Sequence, residues 1–195
     1  MSRFEDIYKK LMSQMNIDNV HAVPAITKVV VSVGVGKNRD NKQYIEAVER
    51  DVAAITGQKP HQRLARKAIA GFNVREGNLV GYRVTLRGKR MEDFIQRFVN
   101  ITLPRVRDFR GLKSSGIDRQ GNLSVGLREH LAFPEIHTEK TDVIFGVEVT
   151  FVTSATTEAE GRELFVALGF PFQGEDEAEE LDLIVPGRKK EQAKA

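Results

Sequence analysis

The sequence contains no cysteine and no tryptophan. Without cysteine there is no disulfide framework, Cys-ligated zinc, iron–sulfur cluster or thiol nucleophile, and the chain suits a reducing compartment. No apolar run is long enough to span a bilayer. The N-terminal segment, residues 1–16, carries Glu5, Asp6, Lys9 and Lys10 at short intervals, so it lacks the apolar stretch of a signal peptide. A soluble cytoplasmic protein with no membrane partner is expected. The histidines His21, His61, His130 and His137 show no i, i+4 metal spacing, so neither a metal nor a cofactor is expected.

A shortage of one charge sign is local. The chain as a whole is only +3, but residues 59–119 hold fifteen Lys or Arg against five Asp or Glu, an excess of ten, which leaves −7 for the remainder. A cationic block confined to one third of a chain is the footprint of a polyanion binder, because each Lys or Arg near a phosphate releases a condensed counterion. The plainer alternative is a solvated surface with scattered acidic partners.

The length suits one domain. Residues 3–15 space Phe4, Ile7, Tyr8, Leu11 and Met12 for one helical face. Residues 26–33 are almost continuously β-branched and read as a strand, ended by Gly34-Val35-Gly36. Asp40 with Gln43 suggests a capping box, after which Ile45, Val48, Val52 and Ile55 share a helical face until Gly57 and Pro60. Residues 72–75 and 81–87 are extended candidates that can pair as a hairpin around Glu76-Gly77-Asn78. In the second, Tyr82, Val84 and Leu86 alternate with Arg83, Thr85 and Arg87, leaving one face polar, cationic and open. Met91, Phe94, Ile95, Phe98 and Val99 give an amphipathic helix that Pro104 is expected to end. A basic loop follows over residues 105–122. Val147, Val149 and Phe151 mark another strand, and Thr157 with Glu160 a second capping box opening a helix to Leu168. This order predicts an α+β fold: a mainly antiparallel sheet with helices packed on one face and the other free for RNA. Residues 1–172 form the domain, and residues 173–195, acidic and then basic, read as a flexible charged tail.

Enzyme chemistry finds little support. Gly34-Val35-Gly36 sits where a dinucleotide-binding turn would, but the third glycine of that fingerprint falls at Arg39. Gly36-Lys37 precedes Asn38 and Gly88-Lys89 precedes Arg90, so there is no phosphate-binding Walker sequence. Glu129-His130 and Glu135 with His137 lack an accompanying nucleophile. No catalytic residue is assigned.

Seven stretches in order carry a family resemblance. They are residues 26–36, Ile55-Thr56-Gly57-Gln58-Lys59-Pro60, Ala70-Gly71-Phe72-Asn73-Val74-Arg75-Glu76-Gly77, Val84-Thr85-Leu86-Arg87-Gly88, residues 103–112, Phe133-Pro134-Glu135-Ile136, and Leu168-Gly169-Phe170-Pro171-Phe172. Together they resemble the universal large-subunit ribosomal protein five family, which binds 5S ribosomal RNA. The resemblance implies a curved antiparallel sheet with helices on its convex side and RNA on the other. It implies 5S rRNA contacts at Ser32, Gln58, Phe72, Arg75, Arg83, Thr85 and Arg87. It also implies a transfer-RNA-binding loop over residues 59–71 with Lys59, Arg63, Arg66 and Lys67. Ser32 stands where most bacterial members carry Asn, keeping a hydroxyl but losing the amide's reach. For Phe72, ordinary core packing competes with RNA contact. Implied partners are 5S rRNA, large-subunit rRNA, P-site tRNA and small-subunit ribosomal protein thirteen, with the cytoplasmic ribosome as location. Two rivals are a non-ribosomal RNA-binding regulator on the same sheet and a small nucleotide-dependent enzyme using residues 34–36.

Overall fold

The computed structural model describes residues 7–8, 11–13, 15, 17–136 and 143–173; Phe4, His137 and the tail from Gly174 onward lie outside them. Five strands form one sheet: β1 (Ile26–Gly34), β2 (His61–Leu64), β3 (Leu79–Leu86), β4 (Leu123–Leu127) and β5 (Val147–Thr153), in the order β2-β3-β1-β5-β4 with every neighbour antiparallel. The principal helices are α1 (Lys42–Thr56), α2 (Gly88–Arg97) and α3 (Glu158–Ala167).

Side chains alternate across a pleated strand, and the register turns that alternation into rows. Leu86, Val29, Phe151 and Leu123 lie in one row across β3, β1, β5 and β4, and Val84, Val31, Val149 and Val125 in the next. All eight are buried. Onto this face α1 packs Val48, Val52 and Ile55, α2 packs Met91, Phe94 and Ile95, and α3 packs Leu164 and Phe165. The centre is aromatic: Phe98 meets Phe151 at 5.3 Å between centroids, and Phe170 meets Phe151 at 5.0 Å and Phe165 at 5.2 Å, distances that suit tilted and edge-on rings. Phe172 closes the cluster with no exposed surface.

The structure departs from the sequence expectations at several points. The α1 cap is Asn41, whose side chain accepts from Tyr44 N–H, because Asp40 still belongs to the turn leaving the 3-10 segment Gly36–Asn38. Pro104 does not stop the α2 helix. A π-helical turn, Phe98–Thr102, closed by Leu103 N–H to Phe98 C=O, precedes it, and Leu103–Arg105 completes a further turn. That wider turn changes the spacing just where a proline ring would press on the i−4 carbonyl. Residues 72–75 are not a strand. Ala70–Phe72 is a 3-10 turn ended by Asn73 at φ 50°, and β3 pairs instead with β2, inside the expected basic loop. β4, Leu-Ser-Val-Gly-Leu, carries no clear strand signal in its sequence, because one glycine in five residues hides the period.

Gly161 is required by packing rather than by conformation. A Cβ there would collide with the backbone of Gly121, itself at φ 73° in the turn before β4, so α3 and that turn meet at bare backbone.

Candidate nucleic-acid interface

The second face of the sheet carries the complementary rows. One runs His61, Arg83, Ser32, Glu148, Gly126 across all five strands, and the next runs Thr85, Val30, Thr150, Ser124 across β3, β1, β5 and β4. His61, Arg83, Thr85, Glu148, Ser124 and Gly126 are exposed, and Ser32, Val30 and Thr150 half-buried. Every large buried strand residue belongs to the helix-covered face, so among the described residues this face remains open. Ser124 and Thr150 share a hydroxyl hydrogen bond at 3.2 Å. The Thr85 hydroxyl makes no hydrogen bond among the described residues and points outward with Arg83.

Gln58 is placed by the end of α1. Gly57 takes the left-handed conformation, φ 65°, and returns its N–H to Ala53 C=O, while buried Thr56 donates to Val52 C=O at 2.7 Å. The chain then turns toward the sheet, and Gln58 Nε2 donates to Thr85 C=O at 3.3 Å, just beyond the point where β2 stops pairing with β3. Gln58 and Thr85, 27 residues apart, thus become one polar corner. Arg87 Nη1 reaches Thr27 C=O at 3.4 Å, which holds its guanidinium at the β1 end of the same face.

The expected loop is an arm. Beyond β2 and β3 the two limbs stay joined by Ala65 N–H to Asn78 C=O at 2.8 Å, Gly77 N–H to Ala65 C=O at 3.0 Å and an Ile69–Val74 bridge. Arg39 Nη2 donates to Asn73 C=O at 2.6 Å, tying the tip to the segment after β1. Phe72 is 76% exposed there, which rules out the core-packing reading, and Leu64 and Ile69 are exposed with it. Arg66, Lys67 and Arg75 lie exposed on the arm, and Lys59 is exposed at its base. Arg63 belongs to β2 opposite Gly81, so it projects from the same face as Arg83. The expected 5S and tRNA sets are therefore contiguous. None of Lys59, Arg63, Arg66, Lys67, Arg75 and Arg83 forms an ion pair among the described residues.

Sequence reasoning missed Glu148 and Thr150, although they alternate with the recognised Val147, Val149 and Phe151; Ser124 and Gly126 followed β4 out of sight. Glu148 is the carboxylate in the row of Arg83. Two strand spacings separate them, roughly 10 Å, about a Debye length at physiological salt, so Glu148 trims the cationic field without cancelling it.

Other sites carry no comparable chemistry. Among the described residues no group of three or more His, Cys, Asp or Glu stands ready for a metal, and no helix is long and apolar enough to cross a membrane. Residues 34–36 lead from β1 into a 3-10 turn, and β1 lies between two antiparallel neighbours, so the parallel crossover of a dinucleotide fold is absent there. His130 is buried, stacked on Phe145 with centroids 3.8 Å apart and with Nε2 3.4 Å from Asp51. Its Nδ1 accepts from Phe145 N–H at 3.5 Å, leaving neither nitrogen open to a substrate.

Comparison with known proteins follows the same architecture. A family model described as "Ribosomal protein L5" matches residues 19–75, and a second, describing the C-terminus of the ribosomal L5 family, matches residues 79–172. "Large ribosomal subunit protein uL5" of Halothermothrix orenii is 47% identical over 168 residues, covering 86% of this chain and 94% of its own. The protein of that name from Carboxydothermus hydrogenoformans is 48% identical, covering 86% of this chain and 93% of its own. That from Rubrobacter xylanophilus is 46% identical over 178 residues, covering 89% and 99%. By name these relatives are proteins of the large ribosomal subunit. Matched through both halves of its sheet and along nearly the whole length of its relatives, the chain belongs to the ribosomal protein L5 family of the large ribosomal subunit.

Proposed function

We propose that the chain, a structural constituent of the large ribosomal subunit, binds 5S rRNA through the open face of its sheet and so anchors that RNA in the central protuberance. The observation that carries this reading is the polar row set, with Arg83 and Ser32 in one row, Thr85 in the next, and, among the described residues, no helix over them. Arg63, Arg83, Arg87 and Arg75 hold phosphates and set register; Ser32, Thr85 and Gln58 supply short hydroxyl and amide contacts to sugars and base edges; exposed Phe72 offers a ring for stacking. The arm, with Lys59, Arg66 and Lys67, reaches P-site tRNA through phosphate contacts that position without reading sequence. Contacts with large-subunit rRNA and with small-subunit protein thirteen across the subunit interface complete the assignment, on the strength of the family resemblance. Protein that stays with large subunits through a high-salt wash fits this role, whereas a regulator held by charge alone washes off.

Footprinting the whole chain on 5S rRNA tests the reading, with Thr85→Val as the pointed variant. Valine keeps the β-branched shape and removes only the outward hydroxyl. Leaving its RNA partner unsatisfied should weaken 5S binding by roughly 1–3 kcal/mol at fixed salt. Unchanged affinity would remove Thr85 from the interface.

A further inference from the structure

β4 ends the sheet, and on its outer side the bridge recorded among the described residues is Ile117 to Leu123, at its first residue. Beside the rest of that edge runs a groove lined by Val106, Phe109, Leu112 and Lys113 on one bank and by Ser124 and Gly126 on the other. The first bank belongs to residues 105–119, which carry Arg105, Arg107, Arg110, Lys113 and Arg119 against Asp108 and Asp118. Asp118 is engaged inside its own turn, accepting from Gln120 N–H at 2.9 Å, Asn122 N–H at 2.8 Å and Asn122 Nδ2 at 2.9 Å. Of these cations Lys113 lines the groove itself, while Arg105 and Arg107 line the adjoining cavity, which shares Val106, Gly126 and Leu127 with it. Arg107 stands 3.9 Å from Glu129, while Arg105, Arg110, Lys113 and Arg119 form no ion pair among the described residues. Residues 116–117 cover the start of this edge, with a Cβ on Gly116 reaching to 3.1 Å from Ser124 C=O, and the remainder, with Lys113 in its groove and Arg105 and Arg107 in the adjoining cavity, suits an extended acidic segment.

The chain delivers such a segment to this place. Phe172 bridges Leu112 in parallel, Leu112 N–H donates to Pro171 C=O at 2.7 Å, and Gln173 N–H donates to Leu112 C=O at 2.9 Å. Whatever follows Gln173 therefore starts beside Lys113. Residues 174–182 contain Glu175, Asp176, Glu177, Glu179, Glu180 and Asp182 and no basic residue. Extended, nine residues reach up to about 30 Å, ample for a five-residue strand of roughly 17 Å. The C-terminal family match ends at Phe172, so the acidic run is outside the shared domain.

We propose that residues 175–182 fold back along the outer side of β4, from Lys113 in its groove toward Arg105 and Arg107 in the adjoining cavity, and lie there as an intramolecular polyanion. Single exposed ion pairs are weak, but a short tether raises the effective concentration of the acidic run to about the millimolar range, and six carboxylates act together. In the free protein this shields residues 105–119 from stray RNA. A more highly charged or better-shaped partner displaces the segment on assembly. The inference rests on the tail's exit and charge, not on which RNA the sheet face holds.

Carbodiimide cross-linking of the full chain reads the contact directly, because Lys113 is the sole lysine in residues 105–119. Cross-links should join Lys113 to residues 175–182 within one chain at low salt and fade near 1 M salt, where the Debye length is about 3 Å. Changing Glu175, Glu177, Glu179 and Glu180 to Gln and Asp176 and Asp182 to Asn should tighten binding of a non-cognate homopolymer RNA about tenfold, and leave the 5S footprint in place. Cross-links that avoid Lys113 in favour of Lys28 or Lys59, cross-links between two copies, or an unchanged homopolymer affinity would each overturn the proposal. Loss of the 5S footprint in the unmodified chain would count against the sheet-face assignment alone.

Discussion

His130 illustrates how a single residue ties stability to pH. Its ring is fully buried, and removal from water disfavours the imidazolium more than the nearby Asp51 carboxylate favours it, so the pKa lies below the ordinary histidine value of 6.5. Phe145 N–H occupies Nδ1, which leaves the proton on Nε2, facing Asp51 Oδ2. Arg50 satisfies the other Asp51 oxygen at 3.0 Å. The unfolded chain takes up this proton first as pH falls. The stabilisation from neutral His130 is therefore complete above about pH 6.5 and declines below it, toward the depressed folded pKa. Thermal midpoints measured from pH 7.5 to 5.5 should fall below pH 6.5, and the slope should shrink in His130→Gln. An identical slope in that variant would place the titrating group elsewhere.

At the scale of elements, the α3 contact with the turn before β4 sets propensity against packing. Gly to Ala in a helix interior normally gains roughly 0.5–1 kcal/mol. Here the new Cβ meets Gly121 backbone, which cannot rotate away, so Gly161→Ala should destabilise the fold by roughly 1–3 kcal/mol despite better helix propensity. Urea unfolding gives the sign, and a stabilised variant would show that α3 can shift. The β2–β3 arm offers a second test. Arg63 shares the sheet face with Arg83, whereas Arg66 and Lys67 lie further out on the arm. Arg63→Ala should lower 5S affinity and reduce its salt slope by about one phosphate contact. Arg66→Ala with Lys67→Ala should spare 5S binding and weaken retention of P-site tRNA on assembled ribosomes. Equal losses of 5S affinity in both variants would merge arm and sheet into one interface.

For the whole molecule, the domain closes at its last described residues. Phe172 is buried in the aromatic core and Gln173 bonds to Leu112, so a cut after Gln173 leaves every described contact intact. Exposed ion pairs of the acidic run contribute about 0–1 kcal/mol, which for a domain of this size moves the midpoint by less than about 4 °C. Calorimetry of the chain ending at Gln173 measures this. A larger drop would mean that Leu181, Leu183, Ile184 and Val185 pack against the core.

Local patterns determined much of this protein in advance. The alternation of Tyr82, Val84 and Leu86 with Arg83, Thr85 and Arg87 marked a strand with one buried and one cationic face, and the apolar spacing in α1 and α2 marked helices for the buried one. Both patterns are periodic, and periodicity follows from backbone geometry alone. Other features needed long-range pairing. Arg63 became a sheet-face residue because its strand pairs with β3, and Gln58 joined Thr85 because Gly57 turned α1 toward that edge. Glu148 entered the row of Arg83 because β1 separates their strands. Phe72 was left exposed because its turn, not a strand, ends the arm. Register and strand order are set by which apolar rows fill the common core, a sum over contacts between residues far apart in the chain, and no local window contains that sum.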